Sequence, residues 1–150
     1  MTLLNDEYYM RQAIAEAQKA LADGETPIGA VIVSGDKIIG RGHNMTEQLG
    51  DITAHAEMLA IGAAQNWLSG KYLDGCTLYV TVEPCTMCAG AIGWSRISRI
   101  VAGCPDPKRG YQTVCRPDAS PFHPKSEIHY GVCEDECRRL IQSFFQEKRK

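Results

Sequence analysis

A chain of 150 residues with 16 lysines and arginines against 18 aspartates and glutamates, 44% hydrophobic and 23% charged, has the profile of one globular domain over residues 1–150, and disordered, collagen-like and fibrous readings are excluded. A domain of this size buries roughly 70% of the surface its unfolded chain exposes, so it needs no disulfide framework. The seven cysteines are odd in number, the N-terminal MTLLNDEYYM has neither a basic start nor an apolar h-region, and no apolar run approaches the ~18 residues that span a bilayer, so a reducing, cytoplasmic setting without a membrane partner is expected.

In chain order, Met10, Ala13, Ile14, Ala17 and Leu21 recur at helical spacing after Asn5 or Asp6, either of which can cap, and Gly24 stands where the helix would stop. Residues 28–33 are apolar and β-branched, Ser34-Gly35-Asp36 reads as a turn, and residues 37–42 resume an extended pattern, which predicts a hairpin. A polar loop over 45–52 leads to an alanine-rich segment over 53–65, a second helix that starts at His55, with Thr53 a candidate cap. Residues 77–82 (TLYVTV) read as a buried strand, Pro84 opens a third helix through Trp94, and residues 99–102 read as a further strand. A strand, a helix and a strand with such short joints form a βαβ crossover, so those two strands should be parallel.

Residues 103–127 hold five prolines and little periodicity; loops of that length in compact domains are more often functional than idle, so a substrate-facing loop is expected there. Helical spacing returns from Glu134 onward through Cys133, Cys137, Leu140, Ile141, Phe144 and Phe145. Although the net charge is −2, Arg138, Arg139, Lys148, Arg149 and Lys150 face only Glu147, which makes the tail the one plainly basic region, either a phosphate contact or a solvated helix end.

Two short motifs carry chemistry: His55-Ala56-Glu57 and Pro84-Cys85-Thr86-Met87-Cys88, each at a helix start. Composition gives H-x-E about 0.3 times and P-C-x-x-C about 0.015 times in such a chain, so the pair is an event of about 1 in 250. Cysteines at i and i+3 in a first turn put both sulfurs on one side, where exposed N–H groups favour thiolates. With one imidazole they make three zinc ligands, and three rather than four leave a position for water, the mark of a catalytic site. Glu57, two residues from His55, then reaches the same cavity as a proton shuttle, not a ligand. A structural zinc site would need a fourth ligand from Cys76, Cys104, Cys115, Cys133 or Cys137, and would leave Glu57 without a purpose. Cys133 and Cys137 are read as buried small hydrophobes rather than as part of a second metal site with Cys104 or Cys115. His43, His123 and His129 lack ligand spacing and are read as surface or loop residues. Adjacent aromatics cannot share one helix face, so Phe144 and Phe145 should divide between core and solvent.

An activated water, a metal to hold it and one reusable acid/base are the parts that hydrolytic deamination of a heterocyclic amine requires, and H-x-E followed by P-C-x-x-C is the established signature of zinc deaminases. The chain resembles the cytidine/deoxycytidylate deaminase superfamily, and more closely its bacterial tRNA-specific adenosine deaminases, at residues 27–31 (PIGAV), 53–57 (TAHAE), 83–91 (EPCTMCAGA), 95–97 (SRI) and 135–137 (DEC) with Phe144 and Phe145. The resemblance spans nearly the whole chain. It implies a three-layer α/β/α cytidine-deaminase-like fold with a mixed five-stranded sheet whose last two strands are parallel. It further implies one zinc ion per subunit on His55, Cys85 and Cys88, no organic cofactor, and conversion of adenosine to inosine at the wobble position of a tRNA by a homodimer that grips the anticodon arm. Asn44 would hydrogen-bond the flipped nucleotide, Asp106 would lie near the RNA backbone, and Phe144 and Phe145 would lie beside the RNA. The chain departs from the family's pattern at residues 109–113 (RGYQT), where a small-residue run is usual, at Ile52 for a common proline, and at Trp94 for a frequent histidine. A free base or nucleoside, such as guanine, cytosine or adenosine, is the alternative substrate class, since one such pocket serves many substrates.

Overall fold

The computed structural model describes residues 5–148; Met1 to Leu4 of the N-terminal segment, and Arg149 and Lys150 of the basic tail, lie outside the described residues. Helix α1 (Asp6–Ala22) is capped by Asn5, whose side chain accepts the Tyr8 N–H. Strands β1 (Gly29–Ser34) and β2 (Lys37–His43) form the expected antiparallel hairpin through Gly35, whose φ of 63° glycine tolerates. A four-residue helix α2 (Thr46–Leu49) interrupts the loop predicted after it. Then come α3 (Ala56–Leu68), β3 (Cys76–Val82), α4 (Thr86–Ser95), β4 (Arg99–Cys104), a 3-10 turn at Tyr111–Thr113, β5 (Glu127–Tyr130) and α5 (Glu134–Lys148).

The five strands lie in the order β2-β1-β3-β4-β5, with β1 antiparallel to both neighbours and β3, β4 and β5 mutually parallel. Because side chains alternate along a strand, Ala30, Ile32, Leu78, Val80, Ile100 and Ala102 face one core, with α3 and α4. Val31, Val33, Tyr79 and Val101 face the other, with Met10, Ala13 and Ile14 of α1 and Cys137 of α5. This is the three-layer α/β/α arrangement, and covering both faces is why the central strands read as nearly continuous apolar runs. Each of the fully buried Leu78, Ile100 and Ile32 contributes about 1.5–3 kcal/mol of hydrophobic stabilisation.

The alanine-rich composition of α3 has a steric cause. A Cβ on Gly42 of β2 would stand 2.4 Å from the Ala56 carbonyl oxygen, and one on Gly40 would stand 2.4 Å from that of Ala60. Strand and helix backbones therefore touch across a surface of glycine and alanine, which fixes the height of the α3 N-terminus above the sheet.

Candidate active site

Parallel strands with a crossover helix send the N-terminus of α4 to the carboxyl end of β3, and the N-terminus of α3 meets it there. His55 is the N-cap of α3 and Cys85 the N-cap of α4. Helix α3 thus begins at the His55 motif, as expected, but Thr53 does not cap it and instead donates its N–H and hydroxyl to the Asp51 side chain; α4 begins later than expected, with Pro84 before its N-cap. Neither residue makes a side-chain capping bond, and the imidazole and the thiol face each other.

His55 Nδ1 lies 3.7 Å from Cys85 Sγ and 3.5 Å from Cys88 Sγ, and all three ligand atoms fall within 4.8 Å of one another. Zinc bonds of standard length at tetrahedral angles put a nitrogen and a sulfur ligand about 3.6 Å apart, so the group fits that metal. Among the described residues no further cysteine joins the group. Hydrogen bonds from Cys88 and from His55 hold the Cys85 thiol down at about 4, and its bond to Cys85 raises His55.

Glu57, in the first turn of α3, is 4% exposed, and burial pushes its carboxyl up to about 7, the range in which one group both takes and returns a proton at neutral pH. Asn44, buried at the end of β2, accepts the Thr46 N–H on its side-chain oxygen, and the Met45 N–H bonds the Ala54 carbonyl, which ties this loop to the segment before His55. Asp106 begins the loop after β4, where its Oδ1 accepts the N–H groups of Lys108 and Arg109 and so turns the chain. Phe144 is buried and Phe145 45% exposed, edge to face at 5.4 Å, as adjacency required. They are not brought into the His55, Cys85 and Cys88 group: α5 packs with α1 on the opposite sheet face from α3 and α4.

Three further buried carboxylates were not singled out in the sequence. Glu25 accepts the N–H groups of Glu47 and Gln48 and so holds α2, just after Asn44. Glu83 accepts those of Asp106 and Gln112. Glu16 pairs with Lys19 at 2.7 Å and lies 3.1 Å from His43 Nδ1, so His43 is a half-buried hydrogen-bond partner rather than a free loop residue. Their one sequence signal is an acidic residue inside or next to an apolar element. Burial holds the Cys76, Cys104, Cys133 and Cys137 thiols up, Cys104 to about 11 and Cys137 to about 12, which fits small hydrophobes rather than reactive groups. The basic tail is narrower than its sequence suggested: Arg138 pairs with Glu134 and Asp135, and Lys148 covers the Phe144 ring at 5.1 Å. Among the described residues no helix is long and apolar enough to cross a membrane.

Residues 4–104 match the family described as the cytidine and deoxycytidylate deaminase zinc-binding region. Over 99% of its length the chain is 45% identical to the tRNA-specific adenosine deaminase of Bacillus subtilis, 93% of which it covers. A solved structure from studies of A-to-I editing by tRNA:A34 deaminases at the wobble position of transfer RNA is similar at a TM-score of 0.80 and 39% identity, over 89% of this chain and 98% of that one. A guanine deaminase from Bacillus subtilis is similar at a TM-score of 0.62 and 31% identity, over 96% of this chain and 76% of that one. The chain belongs to the cytidine and deoxycytidylate deaminase superfamily, and within it to the tRNA-specific adenosine deaminases.

Proposed function

We infer that this protein hydrolyses adenosine to inosine at the wobble position of a tRNA anticodon, with residues 1–150 acting as one catalytic domain. The observation that carries the reading is the three-ligand group of His55, Cys85 and Cys88 beside a buried Glu57, in a chain 45% identical over nearly its whole length to a tRNA-specific adenosine deaminase. His55, Cys85 and Cys88 hold one zinc ion, which when bound supplies Lewis-acid activation of a water at neutral pH. Glu57 takes a proton from the attacking water as its oxygen bonds the carbon bearing the amino group, passes it to the adjacent ring nitrogen, and delivers the second proton to the leaving amine, so that adenosine and water give inosine and ammonia.

Asn44 is assigned to the flipped nucleotide, Asp106 to the neighbourhood of the RNA backbone, and Phe144 and Phe145 to the RNA-facing side of a cytoplasmic homodimer on the anticodon arm. An unpaired anticodon base costs little to extrude, which suits a site recessed between two helix ends. The second reading, a free base or nucleoside as substrate, is favoured by the similarity to a guanine deaminase, at the lower TM-score of 0.62. Sequencing of a tRNA carrying adenosine 34 after incubation with the zinc-loaded protein tests the assignment: inosine, read as guanosine, is expected at position 34 alone. Absence of editing at that position contradicts it.

A further inference from the structure

We propose that Glu83 is a positioning residue for RNA, a buried carboxylate that fixes the 106–112 loop against the strand end delivering Cys85 to the metal. The inference rests on the reading that this loop faces RNA. Glu83 follows β3 directly, and its main chain is held there because its N–H donates to the Cys104 carbonyl at 2.8 Å. Its side chain is 5% exposed, with Oε1 accepting the Asp106 N–H at 3.1 Å and Oε2 accepting the Gln112 N–H at 3.1 Å. Among the described residues no cation pairs with it. An apolar residue filling the same space would leave the Asp106 and Gln112 N–H groups without these acceptors. What a carboxylate provides is two acceptors at a fixed spacing, which set the two ends of the loop relative to each other.

The loop is shaped to receive that carboxylate. A Cβ on Gly110 would stand 2.2 Å from Glu83 Oε2 and 2.3 Å from Cδ, so only glycine allows the approach. Gly110 also bridges the Cys85 main chain, and the Tyr111 N–H donates to the Pro84 carbonyl at 2.9 Å. The same carboxylate therefore ties Asp106 and the exposed Lys108 and Arg109 turn to the main chain around a metal ligand. Phosphate contacts fix register on a nucleic acid, and the distance from such contacts to the reacting base decides whether the base arrives.

Glu83→Gln keeps one acceptor and sets an NH2 donor against the other loop N–H. On an adenosine-34 stem-loop, its KM should rise by about tenfold while kcat stays within about twofold, the pattern of lost ground-state and transition-state binding together. Zinc content should stay at one per subunit, and amide exchange at Asp106 and Gln112 should accelerate. Gly110→Ala displaces the carboxylate from the other side and should give the same split; if Glu83→Gln does not accumulate folded protein, it decides alone. A KM unchanged within about twofold overturns the proposal, as does a loss confined to kcat and zinc content. Wild-type protein that leaves the stem-loop unedited would instead sink the functional reading, and amide exchange would still decide whether Glu83 holds the loop.

Discussion

His55 and Cys88 are 33 residues apart in the chain, yet Nδ1 and Sγ stand 3.5 Å apart because two helices begin at the same end of the sheet, beside the carboxyl end of β3. The site is thus a property of where α3 and α4 start, and its chemistry depends on the packing that sets those starting points.

Removing a ligand should release the metal while the rest of the core stays packed. His55→Ala and Cys85→Ala should each lose zinc by elemental analysis after dialysis, and full retention by both variants would remove the ligand assignment.

Glu57 is assigned no metal bond, so its loss should separate binding from rate. Glu57→Ala should keep one zinc per subunit and lose about 10²-fold or more in single-turnover inosine formation, the usual share of general acid/base catalysis. An unchanged rate would end its role as the shuttle.

The glycine and alanine surface between β2 and α3 should be intolerant of a single methyl group. Gly42→Ala drives its Cβ against the Ala56 carbonyl, one residue beyond His55, and should cost about 1–3 kcal/mol in urea unfolding together with weakened zinc affinity. Wild-type stability and zinc affinity in this variant would show that α3 can lift without consequence.

Acid should expose a separate pair far from the metal. A bidentate hydrogen bond from Arg99, at 2.6 and 2.7 Å, holds the Asp6 carboxyl below the ordinary carboxylate range. A group depressed in the folded state contributes stability above its unfolded pKa of about 3.9 and loses it as the pH falls through the lower folded value. The stability gap between wild type and Asp6→Asn should therefore be full at pH 6 and close below the ordinary aspartate range. A gap constant with pH would contradict the pairing.

What the sequence made legible is what local pattern encodes. The period of α1, the hairpin turn at Gly35, the βαβ unit and the two motifs all lie within short windows, and the structure keeps them. Thr53 as a cap and Pro84 as a helix opening do not hold because the N-caps are His55 and Cys85, whose side chains make no capping bond and face each other instead. Strand β5 was invisible as a run of residues: Glu-Ile-His-Tyr is four residues long, alternates exposed and half-buried positions, and stands at a sheet edge, so only the resemblance implied a fifth strand. Helix α2 buries none of its four residues and so leaves no periodic trace. The carboxylates of Glu25 and Glu83 escaped because their partners are main-chain amides 22 to 29 residues away, which any residue type supplies.

The central claim is that this zinc site acts on a nucleotide held in RNA. It is tested most directly by giving the zinc-loaded protein an adenosine-34 anticodon stem-loop and, in parallel, free adenosine, guanine and cytosine, with inosine and ammonia measured in each. The account predicts inosine and stoichiometric ammonia from the stem-loop alone. Ammonia from a free base or nucleoside, with the stem-loop untouched, would contradict it.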